Sequence, residues 1–319
     1  MSDEKKPPLK LPRRMKAAQG RMDKRVAEFN EVKHDPATAQ APGVFRPIAR
    51  TMMTQEKRHV RWETETTFGD TTLKFKGHYL LDSFDLTTLW ALMAMANKGV
   101  KTVTVGHKPN TKEGEELRTS MMTDVEQLTL FEDGPKVPVA AVARFTKYEL
   151  SKILTGDTAG QKYDRVMQSL ERLAATSVYV INGEFEYYSN IVSGWVRNSE
   201  AMAIAVHPVL TQAMRSEGDG DAQYVRLTLK RALTLKTQVG KLLYAMLSAK
   251  VYEGKSQAFS LNKLVGFIYA HDPAEEGTQK LRDQRRYVRD GLADLAQLGG
   301  WNITEDGERI NVARKGSLN

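Results

Sequence analysis

The sequence predicts an α+β fold in which the two halves of the chain repeat one unit, two helices followed by a β-hairpin. Apolar residues at helical spacing recur in the same order in both halves. The matching positions are Phe145, Leu150, Val166, Leu170 and Leu173 in the first copy and Phe259, Leu264, Val288, Leu292 and Leu295 in the second. Two helices and a two-stranded wing are the outline of a winged-helix domain. We therefore predict two tandem winged-helix domains.

Composition limits the classes of function that the protein can have. The chain has 319 residues, a net charge of +8 and a sequence pI of about 9.4, which indicates a polyanionic partner. Nucleic acid, ribosome and anionic membrane all fit the charge alone, but no apolar run is long enough to span a bilayer. The absence of cysteine excludes disulfides, thiolate catalysis and Cys-ligated zinc. The N-terminus has no apolar core of a signal peptide, so a bacterial cytoplasmic location is expected.

Residues 1–34 are expected to be a basic flexible arm. Residues 1–33 hold ten Lys or Arg against five acids, with three prolines nearby and few apolar residues. Such an arm either adds non-specific affinity for phosphates or acts as a solubilising tail.

Residues 35–229 are assigned to an N-terminal winged-helix domain with insertions. Turn formers dominate residues 32–50, and residues 98–137 are expected to be a long irregular excursion. The predicted helices are Asp82–Asn97, a short one from Thr146 to near Gly156, Gln161–Ala175 and His207–Met214. The predicted strands are His59–Thr67, Thr71–Lys76, Ser177–Ile181, Glu184–Tyr188, Asn190–Val196, Ala201–Val206 and Ala222–Leu229. Gly69-Asp70 and Asn182-Gly183 are hairpin signals between strand pairs.

Residues 230–319 are assigned to a C-terminal winged-helix DNA-binding domain. The predicted elements are the helices Leu233–Tyr252, Ser260–Ile268 and Thr278–Leu298 and the wing strands Trp301–Thr304 and Arg309–Ala313 around Asp306-Gly307. Thr278 is the expected N-cap of the long helix, and Gly299-Gly300 is its expected stop.

The long helix carries the functional prediction. Its apolar residues, Leu281, Val288, Leu292 and Leu295, fall on one face, and Arg282, Arg285, Arg286 and Arg289 recur at i, i+3, i+4 and i+7 on another. A recognition helix in a DNA major groove needs an apolar side that holds it and arginines that contact phosphate or guanine. The alternative is a solvated basic face, although the arginine run contains only Asp283 and Asp290 as acids.

The candidate DNA-binding residues belong mainly to the second copy. They are Lys280, Arg282, Gln284, Arg285, Arg286, Arg289, Arg309 and Arg314, with Lys162 and Arg165 of the first copy as auxiliary contacts. The corresponding helix of the first copy has only Lys162, Arg165 and Arg172 as bases. We therefore expect the first domain mainly to pack or pair and the second to bind DNA.

No catalytic residue, metal site or cofactor is predicted. The stretch 249–256 satisfies only the loosest phosphate-loop pattern, because Ala249 stands where the first glycine belongs, and Gly254 fits a turn after a helix better. The six histidines are scattered without metal-ligand spacing. His34-Asp35-Pro36 is expected to be a turn rather than a catalytic dyad.

Three stretches carry a resemblance to a known family. VKHDPATAQAPGVFRPIAR (32–50), LTLKTQVGKLLYAML (233–247) and QRRYVRDGLADLAQLGGWNIT (284–304) resemble replication protein C of IncQ-type plasmids, and the likeness covers about residues 32–313. The resemblance implies an initiator that binds directly repeated origin sequences called iterons, opens adjacent AT-rich DNA, and cooperates with a plasmid helicase and primase. It implies that the arginine-rich helix enters the major groove. Related initiators pair through the first domain, so a homodimer through that domain is one expectation. No membrane partner is expected.

Two other functions remain open from sequence. A transcriptional repressor of the same fold would bind a promoter palindrome, whereas an initiator would bind tandem direct repeats. A catalytic rolling-circle initiator would need a metal-dependent nick, and the missing paired-histidine motif argues against it.

Overall fold

A computed structural model describes residues 29–99, 141–157, 160–183, 185–197, 202–212, 224–273 and 277–316. Most of the predicted basic arm and most of the predicted excursion at 98–137 lie outside the described residues. The end of the predicted arm belongs to the folded body, because Phe29 and Val32 are buried and Glu31–His34 is a strand. The arm boundary at residue 34 is therefore wrong, and the folded chain begins earlier.

The first half follows the predicted order with added short elements. Its helices are α1 (Pro36–Ala39), α2 (Gln55–Arg58), α3 (Ser83–Gly99), α4 (Lys147–Thr155), α5 (Gly160–Ala174) and α6 (Pro208–Gln212), with a 3-10 turn at Arg50–Met52. Its strands are β1 (Glu31–His34), β2 (His59–Phe68), β3 (Thr71–Tyr79), β4 (Ala141–Phe145), β5 (Thr176–Asn182), β6 (Phe185–Asn190), β7 (Val192–Arg197), β8 (Met202–Val206) and β9 (Val225–Thr228). The helices and both hairpins predicted for this half are confirmed within a few residues.

The second half contains one correction. Its helices are α7 (Leu229–Thr234), α8 (Gln238–Lys250), α9 (Leu261–Tyr269) and α10 (Thr278–Ala296), and its strands are β10 (Ser256–Ser260), β11 (Trp301–Asp306) and β12 (Arg309–Arg314). The single helix predicted over Leu233–Tyr252 is wrong. The chain breaks at Thr237, whose Oγ1 caps α8 by accepting a hydrogen bond from Gly240 N at 2.9 Å.

The second half has winged-helix topology. Its order is α8, β10, α9, α10, β11 and β12, and the three strands form an antiparallel sheet in the order β10-β12-β11. The strand β10 was not predicted. The wing turn comprises Gly307 and Glu308, and Gly307 adopts a φ of 58° that favours glycine. This unit presents α10 and the wing side by side.

The first half repeats this order with different strand pairing. Helices α3, α4 and α5 precede the hairpin β5–β6, but β4 pairs with β8 instead of the wing. The hairpin β2–β3 instead joins β5–β6 in a four-stranded sheet of order β2-β3-β5-β6. The fold class, α+β with two tandem winged-helix units, is confirmed, and the first unit is the modified copy.

Matching caps explain why the repeated helices begin where they do. Thr146 Oγ1 accepts a hydrogen bond from Glu149 N at 3.3 Å, and Ser260 Oγ accepts one from Lys263 N at 3.1 Å. The cap predicted for α10 is wrong: Gly277, not Thr278, occupies the N-cap position. The helix ends at Ala296, two residues before its predicted end, and Gly299 and Gly300 follow with the positive φ that turns the chain away.

Helix α10 is held against α8 by close backbone contact. A Cβ added at Gly291 would lie 2.9 Å from Gly240 N, so the two helices approach where neither has a side chain. Beside this crossing, the buried Asp294 Oδ2 accepts hydrogen bonds from Lys236 N and Thr237 N, both at 2.8 Å. The carboxylate thus satisfies backbone donors at the start of α8 and fixes the C-terminal half of α10.

The two units share one hydrophobic core. The Gln238 side chain accepts a hydrogen bond from Ile48 N and donates one to Ile48 O, both at 3.0 Å. Trp90 of α3 meets Tyr244 of α8 edge-on with ring centroids 6.2 Å apart. The predicted boundary between residues 229 and 230 therefore stays a proposal. It would separate two repeated units that pack on each other.

Two buried histidines make stability depend on pH. Burial lowers the pKa of His34 and of His207 to about 3, and Val209 N donates to His207 Nδ1, which requires that nitrogen to be unprotonated. In the unfolded chain the two histidines bind protons near pH 6.5, and in the folded chain they do not. Their contribution to the free energy of unfolding is therefore present above pH 6.5 and is lost as pH falls.

We expect acidification from pH 7 to 5 to lower the free energy of unfolding by about 2 kcal/mol per histidine. Urea unfolding at both pH values measures this change. The variant His34→Gln should reduce the pH dependence, while replacing the exposed His78 by Gln should leave it unchanged. Equal slopes in all three chains would contradict the assignment.

Candidate nucleic-acid interface

Helix α10 separates a buried face from an arginine face. Val288, Leu292 and Leu295 are buried against the core. At about 100° per residue, Arg282, Arg286 and Arg289 lie about 90° to 150° around the helix from the centre of this buried face. All three are exposed, with 61% of the Arg286 side chain and 45% of the Arg289 side chain accessible. We call Arg282, Arg285, Arg286 and Arg289 the arginine stripe.

Arg285 is the most constrained member of the stripe. Its Nε and one terminal nitrogen donate to Asn262 Oδ1 of α9 at 3.0 and 2.8 Å, and a terminal nitrogen lies 3.1 Å from Glu308 Oε1 in the wing turn. Its side chain is 27% exposed. The guanidinium is therefore positioned between α9 and the wing, in an orientation fixed by two neighbouring elements.

Acids accompany the other exposed arginines. Arg289 Nε donates to Glu305 Oε1 of β11 at 2.8 Å, and Arg286 pairs with Asp283 one helical turn earlier at 3.0 Å. Exposed ion pairs contribute little to stability. Here they hold the side chains and lower the local positive potential. Asn262, Glu305 and Glu308 were not predicted as part of the site.

Two predicted site residues are largely covered by neighbouring side chains. Gln284 is 5% exposed, and its Nε2 is 2.9 Å from His271 Nε2. Arg314 is 15% exposed at its side chain, where it donates to Glu253 Oε1 at 3.1 Å and lies over the Trp301 ring. Neither belongs to the arginine stripe: Gln284 is buried, which corrects its prediction as a DNA contact, and Arg314 lies at the end of β12 away from the wing turn.

Two further predicted residues are exposed but sit apart from each other. Lys280 lies about 160° around α10 from Arg282, so it faces away from the stripe. Arg309 is exposed at the first position of β12, beside the wing turn, and its Nε donates to Asn311 Oδ1 at 3.3 Å. Arg309 therefore remains in the candidate interface, and Lys280 lies outside it.

The bases of the first unit are largely engaged by protein. Lys162 pairs with Asp157 at 3.0 Å, and the Arg165 guanidinium lies 4.0 Å from the centroid of the Phe84 ring. Both remain exposed. Arg172, the third base of α5, is buried and bonded to Asp85, so it is not available to contact DNA. The arrangement favours α10 over α5 as a DNA-contacting helix.

The other chemical features of the described residues are limited. Gly254 has a φ of 76° and lies in the turn between α8 and β10, so the phosphate-loop pattern falls on a turn. Across the described ranges, no group of three or more His, Asp or Glu side chains is placed to hold a metal ion. None of the helices in those ranges is both long and apolar enough to cross a bilayer.

The acids beside the stripe give a testable expectation. Replacing Glu305 and Glu308 by Gln removes two negative charges that repel phosphate, so affinity for random duplex DNA should rise about 5- to 30-fold at low salt. Fluorescence anisotropy measures this rise, which should shrink as salt increases. The matched pair Asp164→Asn and Glu171→Gln on α5 should change affinity less. An equal rise in both variants would place the interface elsewhere.

Together, the fold and the arginine stripe define a tandem winged-helix protein whose second unit presents an arginine-bearing helix beside a wing. The model of the replication protein C (RepC) family matches residues 26–314, so the chain belongs to that family. The resemblance seen in the sequence is thereby confirmed. A comparison with curated protein sequences gives no match.

Solved structures of similar shape are also found. Domains 2 and 3 of RctB align with 10% identity and a TM-score of 0.49, covering 89% of this chain and 99% of that one. The Pi initiator protein, solved in complex with iteron DNA, aligns with 12% identity and a TM-score of 0.43, covering 63% of this chain and 91% of that one. The family assignment rests on the sequence match and not on these likenesses.

Proposed function

We propose that the protein initiates plasmid replication by binding directly repeated origin sequences through α10 and the wing of the second unit. The observation that carries this proposal is the arginine stripe on the exposed side of a helix whose other side is locked to α8. Arg285 is held in a fixed orientation, which suits bidentate contact with guanine, while exposed Arg282 and Arg286 suit phosphate or base contacts.

The proposal gives the two units unequal roles. The unit at 230–319 binds DNA specifically, with Arg309 of the wing as a flanking contact. The unit at 35–229 packs against it, adds auxiliary contacts through Lys162 and Arg165, and forms any homodimer. The basic residues that precede the folded body, which begins near Phe29, add sequence-independent affinity.

The later steps belong to the same proposal. Binding to several adjacent repeats promotes opening of the neighbouring AT-rich DNA, onto which a plasmid helicase and primase are loaded. The protein supplies no catalytic group for these steps, and it acts by binding. The family's role in replication and the exposed arginines support this sequence of events.

A footprint on the origin of the replicon that carries the gene tests the proposal. Protection of tandem direct repeats, each about one or two helical turns long, is the expected result. Protection of a single promoter palindrome would instead identify a repressor. A metal-dependent nick with a covalent protein–DNA adduct would identify a rolling-circle enzyme.

A further inference from the structure

A cavity of about 270 Å³ lies where the first half meets the end of α8 and the last residue of β12. Three aromatic residues from separate segments line it. They are Phe68 at the tip of β2, Tyr224 before β9, and Tyr252 after α8. Tyr252 is 65% exposed, although tyrosine rings usually gain from burial. The cavity therefore offers flat apolar surfaces that are open to an aromatic ligand.

Cations surround this cavity. Arg226 and Arg314 line it, and the Lys33 Nζ and Arg226 guanidinium lie 5.1 and 5.6 Å from the Tyr224 ring centroid. Two more lysines are close to Arg314: Lys255 O accepts a hydrogen bond from Arg314 N, and Lys315 is the next residue in the chain. Glu31 and Glu253 are the nearby acids, paired with Arg226 and Arg314. The balance of charge is positive, which favours a polyanion over an acidic or neutral peptide.

The cavity lies away from the arginine stripe. Arg309 stands beside the wing turn and Arg314 lies at the far end of β12, five residues on, which is about 17 Å along a strand. A duplex seated on α10 and the wing tip therefore leaves the cavity free for a different strand.

We infer that this cavity binds one unstacked base of a single DNA strand, with Tyr224 and Tyr252 stacking on the base and Arg226 and Arg314 contacting its phosphates. Single-strand sites combine aromatic platforms with cations in this way. The inference rests on the proposed function for the source of the strand, the AT-rich segment opened beside the repeats. An aromatic side chain of a partner protein is the competing occupant.

The test measures binding of the full chain to a fluorescein-labelled oligo(dT) strand and, separately, to the repeat duplex. Tyr252→Ala should weaken oligo(dT) binding about 5- to 150-fold, which is the loss of one stacked base. Tyr252→Phe should retain it. Tyr148→Ala, at another exposed tyrosine, is the matched control. Duplex affinity and thermal unfolding should stay unchanged.

The outcomes separate this inference from the proposed function. Unchanged oligo(dT) affinity in Tyr252→Ala, or the same loss in Tyr148→Ala, overturns the cavity assignment and favours a protein occupant. Loss of duplex and single-strand affinity together also overturns it, because one surface would then serve both. A wild-type chain that ignores the repeats yet shows the Tyr252 effect on oligo(dT) would overturn the proposed function and leave the cavity standing.

Discussion

A chain carrying Arg285→Ala and Arg286→Ala is expected to bind the origin repeats at least about 30-fold more weakly than the wild type. An arginine that contacts guanine contributes about 1–3 kcal/mol of discrimination, so losing two costs at least about 2 kcal/mol. Arg285 is preoriented by Asn262 and Glu308, and Arg286 is exposed on the same stripe. Thermal unfolding should change little, because the ion pairs that are lost lie at the surface.

A charge-matched control separates recognition from simple loss of charge. The pair Lys57→Ala and Lys280→Ala also removes two exposed cations, one of them on the far side of α10. Anisotropy titrations with the repeat duplex and a scrambled duplex should show a large specific loss only in the arginine variant. Unchanged repeat affinity with a normal circular dichroism melt, or an equal loss in the control, would remove α10 from the interface.

A conservative variant sharpens the same test. Arg285→Lys keeps the charge but cannot donate in the planar, bidentate geometry of a guanidinium. It should retain affinity for the scrambled duplex and lose the preference for the repeats. A variant that keeps full preference would show that Arg285 contacts phosphate only.

Local signals in the sequence predicted the elements that present the stripe. Helical spacing alone placed Arg282, Arg286 and Arg289 on a different face from the buried residues, because a helix has a fixed number of residues per turn. Glycines at the hairpin turns and hydroxyl residues at two N-caps located the boundaries of the repeated units. These features depend on residues within a few positions of each other.

Contacts between distant residues account for what the sequence could not predict. The break before α8 depends on Asp294, which lies 57 residues after Thr237. The strand β10 has mostly exposed side chains and forms because it pairs with β12. Gln284 falls at a helix position that is buried beside His271, and no local pattern indicates that a polar side chain there is internal.

Arg172 is the clearest case of a role that the sequence could not predict, because the three cations of α5 look alike in the sequence. Its Nε and a terminal nitrogen donate to both Asp85 oxygens at distances between 2.7 and 3.2 Å. Asp85 also accepts from Ser169 Oγ at 2.6 Å, and Arg58 bridges it to Asp82. These charged side chains are all buried, so each depends on the others for compensation.

Replacing Arg172 by Met, which keeps much of the side-chain volume, is expected to lower the free energy of unfolding by about 3–5 kcal/mol. The loss arises because Asp82 and Asp85 remain buried with one arginine between them. Urea unfolding measures it. Arg165→Met on the same helix removes an exposed cation over Phe84 and should cost under about 1 kcal/mol.

Two further measurements distinguish a buried charge from lost packing in the Arg172→Met chain. Adding Asp85→Asn should recover part of the stability, because the unpaired carboxylate is removed. The gap to the wild type should also narrow as pH falls, since burial and Asp82 already raise the pKa of Asp85 and its neutral form needs no cation. Below its melting temperature the variant should bind duplex DNA with wild-type affinity, because Arg172 lies in the interior. A gap that is independent of pH would show that the loss comes from packing and not from the buried carboxylates. A loss of duplex affinity in folded protein would show that Arg172 acts on DNA.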